Sequence, residues 1–277
     1  MEKERRVRGD EADRRELALA FCRECLGWPE ASASGKYIFE NRRRPELPHA
    51  YGKLHGFQMD AGDFGNVMNA VKQWCDVHGV TLSLKYSPAS GKDWYAQLGS
   101  HAETVSGYAA DVLLLSCLTA HRNLSADKQG VEDDAQKRNP AGTLRIPLSR
   151  EHAEVALAFA KECLDWKGAR IINDFGYVYI WEDIASYPVS PRERSFHFNE
   201  DHVDKVIEAV RAWCTVRALG FTLEYFPSGS AKDCWHASVG RDAESHRDLA
   251  SAALMFACLA AHRKMTLPES PTCPMLP

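Results

Sequence analysis

The sequence lacks the features of membrane, secreted and nucleic-acid-binding chains. It has no run of about 18 apolar residues, the length that spans a bilayer, and residues 1–15 lack the apolar core of a secretion signal. We therefore expect a cytoplasmic protein with no membrane partner. Basic residues are not in excess either: 34 Lys and Arg stand against 38 Asp and Glu, a formal net charge of −4. Proteins dedicated to duplex nucleic acid usually carry a basic excess, so no such partner is expected.

Signatures of common enzyme chemistry are also missing. The sequence contains no G-x-x-x-x-G-K-[ST], G-x-G-x-x-G, H-E-x-x-H or G-x-S-x-G motif. His197 and His202 have no evident set of partner ligands, so neither a metal nor a cofactor is predicted. Glu40 and Glu182 each end a predicted strand and could form an acid–base pair, but no other residue supports catalysis. A non-enzymatic protein is expected.

What the sequence does contain is an internal duplication. Short segments recur in the same order at offsets of 138 to 142 residues. The pairs are 24–28 with 162–166, 37–40 with 179–182, 70–75 with 209–214, 92–94 with 232–235, and 117–122 with 258–263. A conserved order with a small drift in offset indicates two homologous modules. We predict module 1 over 14–124, a linker over 125–150, module 2 over 151–265 and a proline-rich tail over 266–277.

Hydrophobic spacing predicts the same elements in each module. Phe64, Val67, Val71 and Trp74 mark one helical face, and the turn-forming residues 87–91 predict a hairpin. The expected helices are 15–27, one that starts near Phe64 and ends at Gly79, 103–122, 151–165, 202–219 and 243–264. The expected strands are 37–40, 57–59, 81–86, 94–98, 178–182, 196–198, 221–226 and 235–240. The order α-β-β-α-β-β-α predicts an α+β fold, in which each module is an antiparallel sheet covered by helices.

The nine cysteines are better explained by packing than by chemistry. Cys25, Cys75 and Cys117 each have a counterpart in module 2, on an apolar helix face. The counterparts are Cys163, Cys214 and Cys258. We therefore predict free, buried thiols that act as small hydrophobic residues.

Basic residues recur in the loop that follows the first predicted strand of each module. Arg42, Arg43 and Arg44 lie in the first loop, and Arg192 and Arg194 in the second. Guanidinium groups bind phosphates in a bidentate manner, so these loops are candidate phosphate sites. The alternative is a pair of solvated basic loops.

A second candidate set lies where a strand begins after a glycine- and serine-rich turn. Lysine neutralises phosphate and tryptophan stacks on a base, so this pattern suits a nucleotide. The alternative is a hairpin turn followed by a core tryptophan. The candidates are Lys92 with Trp94 and Lys232 with Trp235, together with the strand residues Tyr37 and Tyr179.

The recurring landmarks resemble a known family. E-C-L-x-W, Y-I-[FW]-E, A-V-x-x-W-C and C-L-x-A-H-R, present in both modules, resemble the phage α/β/α-sandwich domain. The resemblance implies a phage protein that acts in the cytoplasm of an infected bacterium. By analogy with small phage proteins that sequester immune signals, we expect a sponge for a small anionic, nucleotide-like ligand. A phage structural or protein-interaction module and a hydrolase of such signals remain alternatives, and oligomerisation remains open.

Overall fold

The fold comprises six helices and twelve strands within the residues that the structure describes. The computed structural model describes residues 11–34, 37–39, 56–58, 64–88, 93–100, 102–128, 150–174, 177–182, 194–197, 203–227, 234–241 and 243–266. Module 1 contains α1 (Glu11–Glu24), β1 (Ser32–Ser34), β2 (Tyr37–Phe39), β3 (Gly56–Gln58), α2 (Phe64–His78), β4 (Leu82–Ser87), β5 (Asp93–Leu98), β6 (Ala102–Ser106) and α3 (Ala109–Lys128). Module 2 contains α4 (Arg150–Glu162), β7 (Arg170–Asp174), β8 (Tyr177–Glu182), β9 (Arg194–His197), α5 (Val203–Val216), β10 (Phe221–Tyr225), β11 (Trp235–Val239), β12 (Ala243–Arg247) and α6 (Ala250–Thr266).

The duplication is visible in this order, but each module has two strands more than predicted. Both modules read α-β-β-β-α-β-β-β-α. The helices predicted to start at residues 103 and 243 start instead at Ala109 and Ala250, because β6 and β12 occupy the preceding residues. Side chains in β12 alternate between buried and accessible, and β6 and β12 each pair along one neighbouring strand. That pairing satisfies the backbone hydrogen-bonding groups of segments that had been predicted as the first turns of the last helices.

The two modules share one sheet rather than having a separate main sheet each. Its antiparallel order is β12-β11-β10-β4-β5-β6, and the modules meet where β4 pairs with β10. Leu84 lies opposite Leu223, which is its own counterpart in the repeat. An approximate two-fold axis therefore passes through this pair. The chain also forms two three-stranded sheets, β1-β2-β3 and β7-β8-β9.

The shared sheet has one buried face and one accessible face. In β4 the side chains of Leu82, Leu84 and Tyr86 are buried and those between them are not, as expected for a period of two. Helix α3 covers β5 and β6, and α6 covers β11 and β12. Helices α1 and α2 contact α3, while α4 and α5 contact α6. The prediction of an antiparallel α+β fold covered by helices is confirmed at this level.

Equivalent ion pairs connect the outer helices to the central ones. Arg122 donates two hydrogen bonds to the carboxylate of Glu24, at 2.7 and 2.8 Å. Arg263 does the same to Glu162, at 2.8 and 2.9 Å. The hydrogen bonds from the two arginines are the main cause of a lowered pKa at both glutamates. Helix α1 is thus held to α3, and α4 to α6, by the same bidentate contact.

The cysteine prediction is confirmed for the described residues. Eight cysteines are free, and five of the six repeated ones are buried, while Cys25 is half-buried. Burial raises the pKa of Cys75 and of Cys163 to about 12. These thiols pack in the helical layer as small apolar groups.

The last helix of each module also ends later than predicted, at residue 128 instead of 122 and at residue 266 instead of 264. Most of the predicted linker and tail, 129–149 and 267–277, lies outside the described residues. Among the described helices, none combines the length and apolar character that crossing a bilayer requires.

Candidate functional site

A cleft of about 220 Å³ lies at the boundary between the two modules. Module 1 contributes α1, α2, β5 and the start of α3, and module 2 contributes one face of α5. The lining residues are Arg14, Phe64, Trp94, Gly107, Tyr108, Ala109, Ala110, Asp111, Asp204, Ile207, Glu208 and Arg211. We call this site the intermodule cleft.

Two aromatic residues give the intermodule cleft flat apolar surface. Trp94 is 6% exposed, and its ring lies 5.0 Å from Tyr86 and 5.6 Å from Phe221 between ring centroids. These core contacts fix the orientation of the indole. Tyr108 is 49% exposed at the rim, and the guanidinium carbon of Arg14 lies 3.6 Å from the centre of its ring. A buried ring and an exposed ring therefore border the same space.

The three carboxylates of the cleft each have a basic partner. Arg14 Nε donates to Asp111 Oδ2 at 3.0 Å. Burial raises the pKa of Asp111, and Arg14 opposes that rise. Lys205 Nζ lies 3.6 Å from Asp204 Oδ2 and 3.8 Å from Glu208 Oε2. Arg14 and Lys205 thus supply two positive charges beside three carboxylates, and Lys205 is shared by Asp204 and Glu208.

Arg211 differs from these groups because it makes no ion pair with any described residue. It lines the cleft from α5, and the first turn of α3 lines the same cleft. Backbone N–H groups at the start of a helix lack intrahelical acceptors and carry partial positive charge. An uncompensated guanidinium and a helix N-terminus therefore border one space.

Of the sequence-predicted ligand residues, Trp94 lines the intermodule cleft. Trp235, its repeat counterpart, is only 2% exposed and packs 4.8 Å from the ring of Tyr225. It is not among the lining residues, so the alternative of a core tryptophan describes Trp235. Tyr37 belongs to strand β2, Tyr179 to β8 and Arg194 to β9. The structure describes the backbone of these three residues but not their side chains. The remaining candidates, Arg42, Arg43, Arg44, Lys92, Arg192 and Lys232, lie outside the described residues.

Sequence reasoning missed Arg14, Tyr108 and Arg211. A comparison of the two modules carried a signal for Tyr108, whose counterpart is Leu249, at an offset of 141 residues. A polar aromatic residue that replaces an apolar one marks a position where the modules have diverged. Arg211 corresponds to Lys72, so its basic character alone did not distinguish it.

Comparison of the chain with protein-family models, curated proteins and solved structures finds no match. Fold and cleft together define an α+β protein of two fused modules with a mixed-charge, aromatic cleft at their junction.

Proposed function

We propose that the protein is a non-enzymatic binding protein that sequesters a small anionic, nucleotide-like ligand in the intermodule cleft. The observation that carries this proposal is Arg211, a cation without a carboxylate partner among the described residues, which lines the same cleft as Trp94 and Tyr108. A nucleotide needs both a basic group for its phosphate and a flat apolar surface for its base.

Arg211 and the start of α3 would hold the phosphate. A guanidinium forms two parallel hydrogen bonds to phosphate oxygens, and helix N-termini favour anions through their free N–H groups. Because Arg14 lies beside Asp111, and Lys205 lies between Asp204 and Glu208, these carboxylates oppose the approach of an anion less than isolated carboxylates would.

Trp94 and Tyr108 would contact the base. Stacking of a base on an aromatic ring contributes about 1–3 kcal/mol. The cleft volume of about 220 Å³ lies just below the roughly 300–1,000 Å³ typical of ligand pockets. Because the cleft is smaller than such pockets, part of a bound nucleotide would extend into solvent.

The resemblance to phage sandwich domains gives this binding a biological purpose. A phage protein that holds a nucleotide-derived immune signal lowers its free concentration without any chemical step. Affinity and protein abundance then determine how much signal reaches its receptor.

The decisive test is equilibrium binding followed by recovery of the ligand. Purified full-length protein is titrated with mononucleotides, cyclic dinucleotides and ADP-ribose derivatives, and the loaded protein is then heat-denatured. Release of an intact nucleotide supports sequestration, whereas release of only a cleaved product supports the hydrolase. Absence of binding by every nucleotide would overturn the proposal and favour the protein-interaction alternative.

Matched variants then locate the site. Arg211→Ala and Trp94→Leu are expected to weaken binding at least tenfold. Arg241→Ala removes an exposed arginine outside the cleft, and Trp235→Leu removes a core tryptophan at the equivalent position; both should bind like wild type. Equal loss in Trp94→Leu and Trp235→Leu would indicate lost folding rather than a lost contact.

A further inference from the structure

We infer that the accessible face of the shared sheet in module 2 holds a divalent transition-metal site, with Zn²⁺ as its best-suited ion. The ligands are His236 on β11 and Glu244 and His246 on β12. Their candidate ligand atoms all lie within 4.8 Å of one another. This site is separate from the intermodule cleft and does not depend on the proposed function.

Strand register brings these side chains together. His236 lies directly opposite Glu224 on one side and His246 on the other. Successive side chains alternate between the two faces of a strand, and Trp235 and Ala237 are buried on the helix-covered face. His236 therefore points to the accessible face, where its ring stacks on His246 with centroids 4.4 Å apart.

Glu224 orients the imidazole ring of His236 in the way that a metal-binding histidine requires. Nδ1 of His236 lies 2.8 Å from Glu224 Oε2. A proton on Nδ1 that is donated to this carboxylate leaves the lone pair on Nε2. A carboxylate that binds the far side of a ligating imidazole is the usual support of zinc-bound histidine, and it fixes the tautomer.

The Nε2 atom of His236 is the second indication of a ligand. It is buried from solvent, has no hydrogen-bond partner within the described part of the chain, and lies 3.9 Å from Glu244 Oε2. Ligand atoms of a tetrahedral zinc ion with bonds near 2.0–2.1 Å are about 3.3 Å apart. Glu244 has a 63% exposed side chain, so a rotation of that side chain closes the gap without moving the sheet.

Two histidines and one glutamate form a set that zinc accepts while a fourth position stays open. Glu244 and His246 are exposed, so that position faces solvent and would hold water. Imidazole ligands favour zinc, copper and nickel over magnesium or calcium.

Module 1 supplies an internal control. The row equivalent to Glu224, His236 and His246 consists of Lys85, Tyr95 and Val105, in the same register. A lysine stands where the supporting carboxylate would be, and Val105 has no ligand atom. One ion per chain, in module 2, is therefore expected.

The experiment is a titration of chelator-treated full-length protein with Zn²⁺, followed by calorimetry, with Co²⁺ as a spectroscopic probe. Wild type should bind one Zn²⁺. His246→Ala, at an exposed position, should weaken binding at least tenfold, and Glu224→Gln about 10- to 100-fold. Tyr95→Ala, the module 1 counterpart of His236, should bind like wild type.

Two results would overturn the inference. One is that the His246→Ala and His236→Ala variants bind Zn²⁺ as tightly as wild type does. The other is a Co²⁺ spectrum dominated by thiolate charge transfer, which would assign the ion to cysteine ligands instead.

Discussion

Tyr225 of module 2 donates its hydroxyl hydrogen to Oδ1 of Asp76 in module 1. The equivalent contact in the other direction joins Tyr86 to Thr215, with 2.9 Å between the two hydroxyl oxygens. Thr215 is the repeat counterpart of Asp76, so the approximate two-fold axis relates the two bonds. Each module thus contributes a sheet tyrosine that contacts the second helix of the other module, α2 or α5, in addition to the pairing of β4 with β10.

Removal of these hydroxyls should weaken the module junction unequally. Tyr225→Phe takes a donor from a carboxylate, and such bonds contribute about 1.5–3 kcal/mol. Because Asp76 is 41% exposed and is also held by Lys72 at 3.1 Å, we expect the lower end of that range. Tyr86→Phe removes a neutral hydrogen bond, at a cost of about 1 kcal/mol. Urea unfolding measures both values, and a larger loss in Tyr86→Phe would contradict this account.

Alkaline pH should remove the stabilisation that Tyr225 contributes. Burial first, and then Asp76, raise the pKa of Tyr225 well above its ordinary value of 10. Ionisation is thus easier in the unfolded chain, so this stabilisation is complete below about pH 10 and is lost as pH rises above it. Wild type should lose more stability than Tyr225→Phe between pH 9 and pH 11 in parallel urea titrations. Equal losses in the two proteins would show that Tyr225 does not contribute.

The thiols should react in an order set by burial. Cys75 and Cys163, with a pKa of about 12, are thiolates in only about one molecule in ten thousand at pH 8. Cys25 and Cys234 are half-buried and should be alkylated first among the described cysteines. Peptide mass spectrometry of native protein treated briefly with iodoacetamide measures the order, and urea-unfolded protein, in which all thiols react, is the control. Early labelling of Cys75 or Cys163 would contradict the structure.

A separated module should form a dimer. Residues 11–128 on their own expose the edge of β4, and an exposed strand edge is a template for pairing. Since Leu84 already pairs with its own counterpart Leu223, two copies can pair through β4 in the same antiparallel register. We expect a dimer in light scattering and retained β-structure in circular dichroism. A folded monomer would show that β4 needs the particular side chains of β10.

The sequence predicted several local features correctly. Residues that recur at helical spacing placed α2 and α5, and the turn-forming residues 87–91 predicted the two separate strands that the structure has as β4 and β5. The repeat of Cys75 and Cys117 in module 2 identified these thiols as packing groups. Periodicity and repetition can be read along the chain, because they reflect which face of one element avoids water.

Short strands and the candidate site were harder to predict. β6 and β12 form because each has one neighbouring strand to pair with, a condition that no short window of sequence records. Of the predicted ligand residues, Trp94 lines the cleft while Trp235 lies in the core, although the two are repeat counterparts. Whether each tryptophan lines the cleft or lies in the core depends on the residues that the neighbouring module places beside it.

The sequence by itself determined the duplication, the α+β class and the apolar faces that build each core. The tertiary structure alone decided that the modules share one sheet, that Arg211 and Trp94 line one cleft at their junction, and that His236, Glu244 and His246 meet on the accessible face of the sheet. The physical reason is sequence separation. A hydrophobic period acts between residues a few positions apart, whereas β4 and β10 lie well over a hundred residues apart in the chain. Only the register of the β4–β10 pairing brings the residues around these two strands together.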